Sequence, residues 1–485
     1  MATTYSVLME EPQLPAKSTT NVQEGGGGAE EDAAVGTYKQ HMRRAQRTEL
    51  IRKQQRAATF AAFVAFGLAS WIMTNASYIE LGVFLQELPE KYSIYAYSIF
   101  ALQSANVYPL LYMALNDRGQ LVKQSTVIWW LLATGILGAV LMSLLWRQTA
   151  SVFGDQHSVA MLVLTHVGGL VSATSTVVFY PYVAMFPSIF TSGLSTGEGL
   201  SGSIAALLGV VQAPYDPSAM RFSVTVFYLL CAFIMVISLI GFAFLQCHPW
   251  ATHAKHMADG DDARNLKAHM DEEAPLVHAA APENGGRSIS TSNGNDTTQP
   301  QTRRAILRSV WQLLACQLIL AAFSFGVVPS IMSYVYKKFA PVDDMENATS
   351  RYQTVANIAS LVLDPIARVS TSWWRFYYVR ALTVVLVVIA SMLLSFSLTS
   401  KPFLSGDSFP NGYLLPLLSH IGYFGLYAYT QTMVFLTLKR SSQQYDGEYA
   451  RVVYQWSGFC TQIGAFAGTL VIFPLVFFNE KLFIE

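Results

Sequence analysis

The chain has 485 residues, and its 31 lysines and arginines balance its 31 aspartates and glutamates, which gives a formal net charge of +0 at pH 7. Hydrophobic residues make up 52% of the chain and charged residues 13%, with a mean hydropathy of +0.34. This composition excludes an ordinary soluble globular protein and predicts an all-α polytopic membrane protein.

The predicted membrane spans follow one another along most of the chain, each with about the 20 apolar residues that a bilayer crossing needs. We predict eleven spans, at about 57–80, 95–114, 124–146, 158–183, 187–211, 222–246, 305–335, 352–372, 379–399, 411–437 and 451–478. Only a short turn between Pro181 and Pro187 separates the fourth span from the fifth, so a re-entrant pair is an open alternative there.

Polar segments divide the chain into five regions. The tail at 1–56 and the loop at 247–304 are rich in polar, charged and small residues, so we expect both to be disordered and cytoplasmic. They delimit a first bundle of six helices at 57–246 and a second of five at 305–478, followed by a short extracellular tail at 479–485. Such a division is typical of carriers in which two bundles move against each other.

Lysine and arginine positions predict the orientation, because cytoplasmic loops retain positive charge during insertion. Most of them, including the basic run "RRAQRTELIRK" at 43–53, lie on the side that is cytoplasmic if the amino terminus is inside. We therefore predict a cytoplasmic amino terminus and an extracellular carboxyl terminus. The same topology puts the sequon Asn347-Ala-Thr349 in an outer loop as a glycosylation site.

Cysteine and histidine give no sign of a disulfide framework, a metal site or an enzyme. The four cysteines lie in or beside spans, and His166 and His420 lie alone in separate spans without a paired ligand at helical spacing. For each histidine we favour a hydrogen bond between helices over a ligand role. We expect no catalytic residue, no metal, no cofactor and no nucleic-acid partner; the oligomeric state is open.

Polar residues within the spans are the candidates for function, since ionisable groups at bilayer depth tend to face a cavity, a partner or a substrate path. In the first span, Trp71, Asn75 and Tyr78 share one helical face, for which we favour cavity lining. Glu80 is about 140° from Asn75 on a straight helix, so it joins that cavity only if the helix bends near its outer end.

The second and fourth spans carry further hydrogen-bonding groups. Gln103 and Asn106 precede a proline in the second, and Thr174 and Ser175 belong to a run of hydroxyls in the fourth. These groups fit either substrate contacts or hydrogen bonds that join helices.

Three charged residues stand out in the fifth and eighth spans. Glu198 lies among glycines in "GEGLSG", where it fits ligand binding or proton coupling as well as structural anchoring. Asp364 and Arg368 are four residues apart on one helical face, and we favour an internal ion pair. We expect all three to act in coupling or gating.

Five blocks of the chain resemble, in order, the eukaryotic riboflavin transporters. They are "SWIMTNASYIELGVFLQELPE" (70–90), "QSANVYPLL" (103–111), "ATSTVVFYPYVAMFP" (173–187), "GEGLSG" (197–202) and "GTLVIFPLV" (468–476). The resemblance implies an eleven-helix carrier, similar in fold to equilibrative nucleoside transporters, that takes up riboflavin (vitamin B2) at the plasma membrane without sodium. It also fits the chemistry, because a flat isoalloxazine needs aromatic or apolar faces and a ribityl chain needs hydroxyl partners.

Two alternatives to a riboflavin carrier are kept. A carrier of a nucleoside or another heteroaromatic solute is supported by the shared architecture and by departures from the family pattern in the second half, where Phe325 and Met332 stand in place of amides. A receptor or scaffold that transports nothing is the other alternative. Competition by uridine would indicate the first, and absence of solute flux the second.

Overall fold

The computed structural model shows a mostly helical chain. It describes residues 28–117, 122–152, 154–183, 185–187, 189–213, 220–256, 303–371, 373–405, 411–442 and 447–484. The expected disorder at 1–27 and at 257–302 lies outside these residues.

Helices occupy nearly all of the described chain. The first-half helices are α1 Gly28–Gly67, α2 Ile72–Glu87, α3 Ile94–Ser104, α4 Val107–Asp117, α5 Gln124–Leu145, α6 Val159–Val183, α7 Ile189–Gln212 and α8 Val224–Cys247, followed by the short α9 Pro249–His256. The second-half helices are α10 Arg303–Ala321, a π-helical turn Ala322–Val327, α11 Val328–Phe339, α12 Met345–Ser370, α13 Val379–Leu398, α14 Leu414–Ser442 and α15 Gly447–Phe478, followed by the short α16 Lys481–Ile484. Two short turns of 3₁₀ helix, Lys91–Ser93 and Val342–Asp344, and two strands, β1 Ala150–Val152 and β2 Asp155–His157, complete the described elements.

A helix or a helix pair lies at every predicted span. Among the described residues, seven helices are long and apolar enough to cross a membrane, and the bent pair α1–α2 makes an eighth candidate. The seven are Gln124–Leu145, Val159–Val183, Ile189–Gln212, Val224–Cys247, Leu307–Phe339, Val379–Leu398 and Trp456–Phe478. The chain is therefore a multi-pass helical membrane protein, whereas α3–α4, α12 and α14 are shorter or more polar.

Two local expectations differ from the structure. Helix α1 begins at Gly28, inside the segment expected to be disordered, because its alanines, glutamates, glutamines and arginines favour helix. Asn347 lies in the first turn of α12 and not in a loop, and Thr349 is buried. The carboxylate of Glu346 in that first turn favours an early helix start by interacting with the helix dipole.

The first span is broken between α1 and α2. The two helices meet at 43°, and Trp71 is the residue before α2. Just before the break in the chain, the backbones of α1 and α7 lie in contact. A Cβ atom added to Gly67 would lie 2.4 Å from the Leu194 carbonyl oxygen, and one added to Gly197 would lie 2.1 Å from the Val64 carbonyl oxygen. Small residues permit such contact between membrane helices, and the break leaves the start of α2 open to polar partners.

The π-helical turn and α15 pack as closely within the second half. A Cβ on Gly468 would lie 2.1 Å from the Ala322 carbonyl oxygen, whereas a Cβ on Gly458 of the same helix would meet nothing within 4 Å. We expect Gly468→Ala to destabilise the chain by about 1–3 kcal/mol through overpacking.

Thermal unfolding in detergent, followed by size-exclusion chromatography, measures this effect. The matched control Gly458→Ala should be neutral or stabilising, because alanine favours helix by about 1 kcal/mol over glycine. Equal melting temperatures for Gly468→Ala and the unchanged chain would contradict the packing seen here.

The end of the bundle that carries β1 and β2 is called the hairpin end. The buried carboxylate of Glu90, just after α2, accepts hydrogen bonds from the Ser158 N–H at 2.6 Å and the Ser158 hydroxyl at 2.9 Å. A carboxylate in this position satisfies donors at the start of α6. The segment after α2 is thereby fixed to the start of α6.

The two halves meet at the hairpin end. Phe100 of α3 stacks on Phe473 of α15 with ring centroids 4.2 Å apart, and the Lys91 ammonium lies 3.3 Å from the Glu346 carboxylate. Helix α2 also packs on α12, where a Cβ on Gly82 would lie 2.2 Å from the Thr354 hydroxyl. These contacts join the first half to the second at this end.

Candidate functional site

Asn75 begins a polar cluster on the first half. Its side-chain amide lies 3.4 Å from the Ser201 hydroxyl of α7, and a Cβ on Gly202 would come within 3.3 Å of the same amide nitrogen. Trp71 is one turn earlier, partly exposed, and its carbonyl accepts the Asn75 backbone N–H at 2.9 Å. The break in the first span therefore presents an indole and an amide together.

Glu198 lies one turn before Ser201 on α7. The Tyr180 hydroxyl of α6 donates a 2.6 Å hydrogen bond to Glu198 Oε2. The other oxygen, Oε1, is buried and has no hydrogen-bond partner in the described part of the chain. The Ser70 side chain and the Arg368 guanidinium of the second half both lie near this carboxylate, and Oε1 makes no hydrogen bond to either of them.

Asp364 and Arg368 form the predicted internal ion pair on α12. The Arg368 guanidinium donates to both Asp364 oxygens, at 2.6 and 3.1 Å, and also to the Gln431 side-chain oxygen of α14 at 3.1 Å. The Arg368 side chain is 40% exposed and that of Asp364 is 33% exposed. The pair is therefore held in place by two helices and still accessible.

Gln103 and Asn106 lie at the break between α3 and α4. The Asn106 amide donates to Gln103 Oε1 at 2.9 Å and to the Gln462 carbonyl of α15 at 3.3 Å. Gln103 in turn donates to the Phe325 carbonyl in the π-helical turn at 3.4 Å. The side-chain amides of Gln103 and Asn106 therefore connect the first half to the second by hydrogen bonds. Amide groups of this kind can also bind a polar substrate.

Other predicted residues do not join these clusters. Glu80 is fully buried, has no hydrogen-bonded oxygen among the described residues, and lies toward Gln212 of α7 and Tyr228 of α8. Because α2 is continuous from Ile72 to Glu87, Asn75 and Glu80 stay on different faces. The bend in this helix pair lies between Gly67 and Ile72, before both residues in the chain, so it does not bring Glu80 to the side of Asn75.

The hydroxyls of the fourth span are mostly engaged within the first half. Ser175 donates to the carbonyl of Ser172 in its own helix at 2.8 Å, and Ser172 accepts from Thr74 of α2 at 2.9 Å. The Thr174 hydroxyl is buried without a partner among the described atoms. Ser172 therefore joins α6 to α2 and Ser175 is engaged by its own helix, so neither hydroxyl is free for a substrate contact.

Tyr78 lines a small void between α2, α3 and α6. The lining residues are Thr74, Ser77, Tyr78, Leu81, Ser98, Ile99, Leu102 and Thr165. The void has space for roughly one water molecule and is far too small for a tricyclic solute. A substrate site must therefore lie elsewhere or form in another conformation.

A polar stripe on α12 was missed by the sequence reasoning. The Asn357 amide donates to the Tyr78 carbonyl at 2.7 Å, and the Ser350 hydroxyl donates to the Gly82 carbonyl at 2.8 Å, both across the two halves. Gln353 donates to Asn357 Oδ1 at 3.3 Å. Ser350, Gln353 and Asn357 are spaced three and four apart, and Asp364 follows seven residues later, so one helical face carries all four; this spacing is the signal that could have revealed the stripe.

Both intramembrane histidines make the predicted hydrogen bonds between helices. His166 lies 2.8 Å from the Ser104 hydroxyl and 3.1 Å from that of Tyr108, on either side of the α3–α4 break. His420 lies 3.0 Å from the Tyr336 hydroxyl. Within the described ranges, no group of three or more histidine, cysteine or acidic side chains could hold a metal ion.

Solved structures show weak similarity to this chain. A mutant form of the nucleoside transporter NupG aligns with a TM-score of 0.49 at 13% identity, covering 88% of this chain and 93% of that one. The xylose transporter XylE from E. coli aligns with a TM-score of 0.47 at 12% identity, covering 88% and 99%. At these scores the likeness carries no argument about this chain.

Curated relatives are similar over nearly the whole chain. "Solute carrier family 52, riboflavin transporter, member 3" of Bos taurus is 26% identical over 471 residues, covering 85% of this chain and 94% of the relative. The Homo sapiens protein of the same description is 25% identical with the same coverage. "Riboflavin transporter rft-1" of Caenorhabditis elegans is 25% identical, covering 86% and 96%.

The family model described as "Solute carrier family 52, riboflavin transporter" matches residues 55–483. The match includes the helices that carry the Asn75, Glu198 and Asp364–Arg368 clusters. The chain belongs to the solute carrier family 52 of riboflavin transporters.

Proposed function

We propose that this chain carries riboflavin across the plasma membrane, independently of sodium, by alternating access between its two halves. The observation that carries the proposal is the family match over residues 55–483, together with relatives named as riboflavin transporters. The polar and aromatic groups gathered between the halves supply the chemistry that such a solute needs.

The proposed topology has eleven spans, six before residue 247 and five after residue 304, with a cytoplasmic amino terminus and an extracellular carboxyl terminus. A helix or helix pair at each predicted span and the excess of basic residues on one side support it. In this topology the hairpin end faces outward, and the break in the first span lies toward the middle of the membrane.

The contacts between the halves support an inward-facing state. At the hairpin end the Ser333 hydroxyl of α11 donates to the Tyr92 carbonyl at 2.7 Å, in addition to the Phe100–Phe473 stack and the Lys91–Glu346 pair. Rocking of the halves would break these contacts and open the outer side. At the opposite end, we propose that Arg368 of α12 then meets the unpartnered Oε1 of Glu198 on α7.

Riboflavin would bind between the two halves, beside the breaks in the first two spans. Trp71 would stack on the isoalloxazine, and Asn75 would hydrogen-bond its uracil-like edge or a ribityl hydroxyl. Gln103 and Asn106 offer further amide groups from the opposite helix pair. Tyr78, one turn from Asn75, would make a weaker contact with the substrate.

Glu80, Thr174 and Ser175 are left outside this proposed set. Glu80 is enclosed among first-half side chains, and Ser175 is engaged by its own helix. The remaining charged groups, Glu198 with Asp364 and Arg368, are proposed as gating groups because they lie on opposite halves.

The proposed function is tested by uptake of labelled riboflavin in riboflavin-auxotrophic cells that express the chain. We expect uptake that persists when sodium is replaced by choline and that requires the chain at the cell surface. Loss of uptake without sodium would overturn the sodium-independent mechanism, and no uptake with normal surface expression would overturn the carrier function.

Glycosylation of Asn347 tests the proposed topology. Asn347 is exposed at the hairpin end, so Asn347→Gln should remove a glycan and raise the electrophoretic mobility of the chain expressed in cells. Asn295, in a sequon of the proposed cytoplasmic loop, provides the matched control, and Asn295→Gln should leave mobility unchanged. A mobility change in the control variant alone would contradict the topology.

A further inference from the structure

The connection between α12 and α13 presents an unusual run of exposed rings, "WWRFYY" at 373–378, here called the aromatic loop. Trp373 is 75% exposed and Trp374 is 77% exposed, and Phe376 and Tyr378 are exposed beside them. Large aromatic side chains left uncovered together mark a surface that contacts something other than water.

The backbone of this loop is held in place. The Tyr429 hydroxyl of α14 donates to the Trp374 carbonyl at 2.8 Å and accepts from the Phe376 N–H at 3.0 Å. The N–H groups of Trp373 and Trp374 both reach the Ser370 carbonyl, at 3.1 and 3.0 Å. The exposure of the rings is therefore a feature of the fixed loop and not of a frayed end.

The aromatic loop continues the apolar outer surface of two helices. Ile366 and Val369 are exposed near the end of α12, and Val384 and Val388 are exposed near the start of α13. In a membrane protein such residues face lipid, and the next turn lies at the boundary between acyl chains and headgroups. Tryptophan and tyrosine are enriched at that boundary because their rings are apolar with one polar group.

The charge of the loop favours one class of lipid. Arg375 and Arg380 are exposed, and neither forms an ion pair with a carboxylate in the described part of the chain. No aspartate or glutamate occurs between Asp364 and Asp407 in the sequence. Two unpaired guanidinium groups beside interfacial rings are attracted more strongly to headgroups with a net negative charge than to zwitterionic ones, in which a cation offsets the phosphate.

We propose that residues 373–380 form a binding site for anionic phospholipid in the adjoining leaflet, with Trp373 and Trp374 inserted at the headgroup boundary and Arg375 and Arg380 paired with headgroup phosphate and carboxylate. The site is connected to the gating groups of the proposed function. Thr371 donates to the Arg368 carbonyl at 2.6 Å, and Tyr429, which holds the loop, lies two residues before Gln431.

The test measures lipid binding directly, so its outcome does not depend on whether the chain transports riboflavin. The purified full-length chain is reconstituted in nanodiscs of phosphatidylcholine with increasing phosphatidylserine, and protein-bound phosphatidylserine is quantified by native mass spectrometry. Arg375→Gln with Arg380→Gln should weaken phosphatidylserine binding roughly thirty-fold, from about fivefold per basic residue, with phosphatidylcholine binding unchanged. The conservative pair Arg375→Lys with Arg380→Lys should retain most of the binding.

Arg351→Gln is the matched control, because Arg351 is an exposed arginine of α12 near the hairpin end. It should bind phosphatidylserine as the unchanged chain does. Unaltered binding by the double glutamine variant, or an equal loss in Arg351→Gln, would overturn the proposal.

A second readout tests the insertion of the rings. Brominated lipid quenches tryptophan fluorescence at the boundary, and Trp373→Phe with Trp374→Phe should reduce the quenched fraction while leaving binding by the arginines intact. An unchanged quenched fraction would show that the indoles lie outside the bilayer. Full competition by soluble glycerophosphoserine would show a headgroup site without membrane insertion, which also contradicts the proposal.

Discussion

Uptake of riboflavin should fall roughly tenfold at low substrate concentration when Asn75 is replaced by alanine, and by a similar factor when Trp71 is replaced. Asn75→Ala removes a hydrogen-bonding amide beside Ser201, and Trp71→Ala removes the indole of the residue that precedes α2 at the break. A hydrogen bond or an aromatic contact of this kind is worth about 1–1.5 kcal/mol, which is about tenfold in binding.

The control for this prediction is Trp130→Ala, which removes an indole that is 70% exposed on the lipid side of α5. Uptake by Trp130→Ala should equal that of the unchanged chain once both are corrected for surface expression. Normal uptake by Asn75→Ala and Trp71→Ala together would remove both residues from the substrate site.

The second large effect is expected at Arg368. Arg368→Gln should reduce uptake by roughly tenfold or more, because it leaves the Asp364 carboxylate without its partner and removes the charge that Glu198 is proposed to meet. Partial exposure of the pair screens the cost to stability, so surface expression should be largely retained.

The reversed pair, Asp364→Arg with Arg368→Asp, separates the two roles of Arg368. It restores an ion pair on one face of α12 but places a carboxylate at the position proposed to approach Glu198. We expect it to remain defective in uptake. Transport at the level of the unchanged chain would show that only the internal pair matters and would end the gating role.

Glu198→Gln tests whether that role includes a proton. It keeps a group that accepts from Tyr180 and removes the ionisable carboxyl. If Glu198 carries a coupled proton, uptake by the unchanged chain should depend on pH between about pH 5 and pH 8, and the variant should lose that dependence. A pH profile identical to that of the unchanged chain would exclude a proton role for this acid.

The positions of the long apolar helices could be predicted because they depend on the residues of each segment alone. Runs of apolar residues long enough to span a bilayer coincide with seven long helices and the bent pair α1–α2 in the described part of the chain. The predicted and observed bounds differ mainly where polar residues extend a helix beyond the apolar run. Asp364 and Arg368 were also predictable, since a spacing of four fixes their contact on any α-helix.

The parts that could not be predicted depend on which helices become neighbours. Nothing near Glu80 in sequence indicates that Gln212 and Tyr228 enclose it, and Phe100 meets Phe473 only after both halves have folded. The break at Trp71 lies beside the close approach of Gly67 to α7, and hydropathy records neither feature. The stripe of Ser350, Gln353 and Asn357 had a readable spacing, but its partners are backbone carbonyls of α2.

The most direct measurement of the central claim is flux of labelled riboflavin into vesicles that contain only the purified full-length chain. Saturable entry is expected, with competition by unlabelled riboflavin and little competition by an equal excess of uridine. Equal competition by uridine would indicate a broader heteroaromatic carrier, and entry no faster than into protein-free vesicles would contradict transport by this chain.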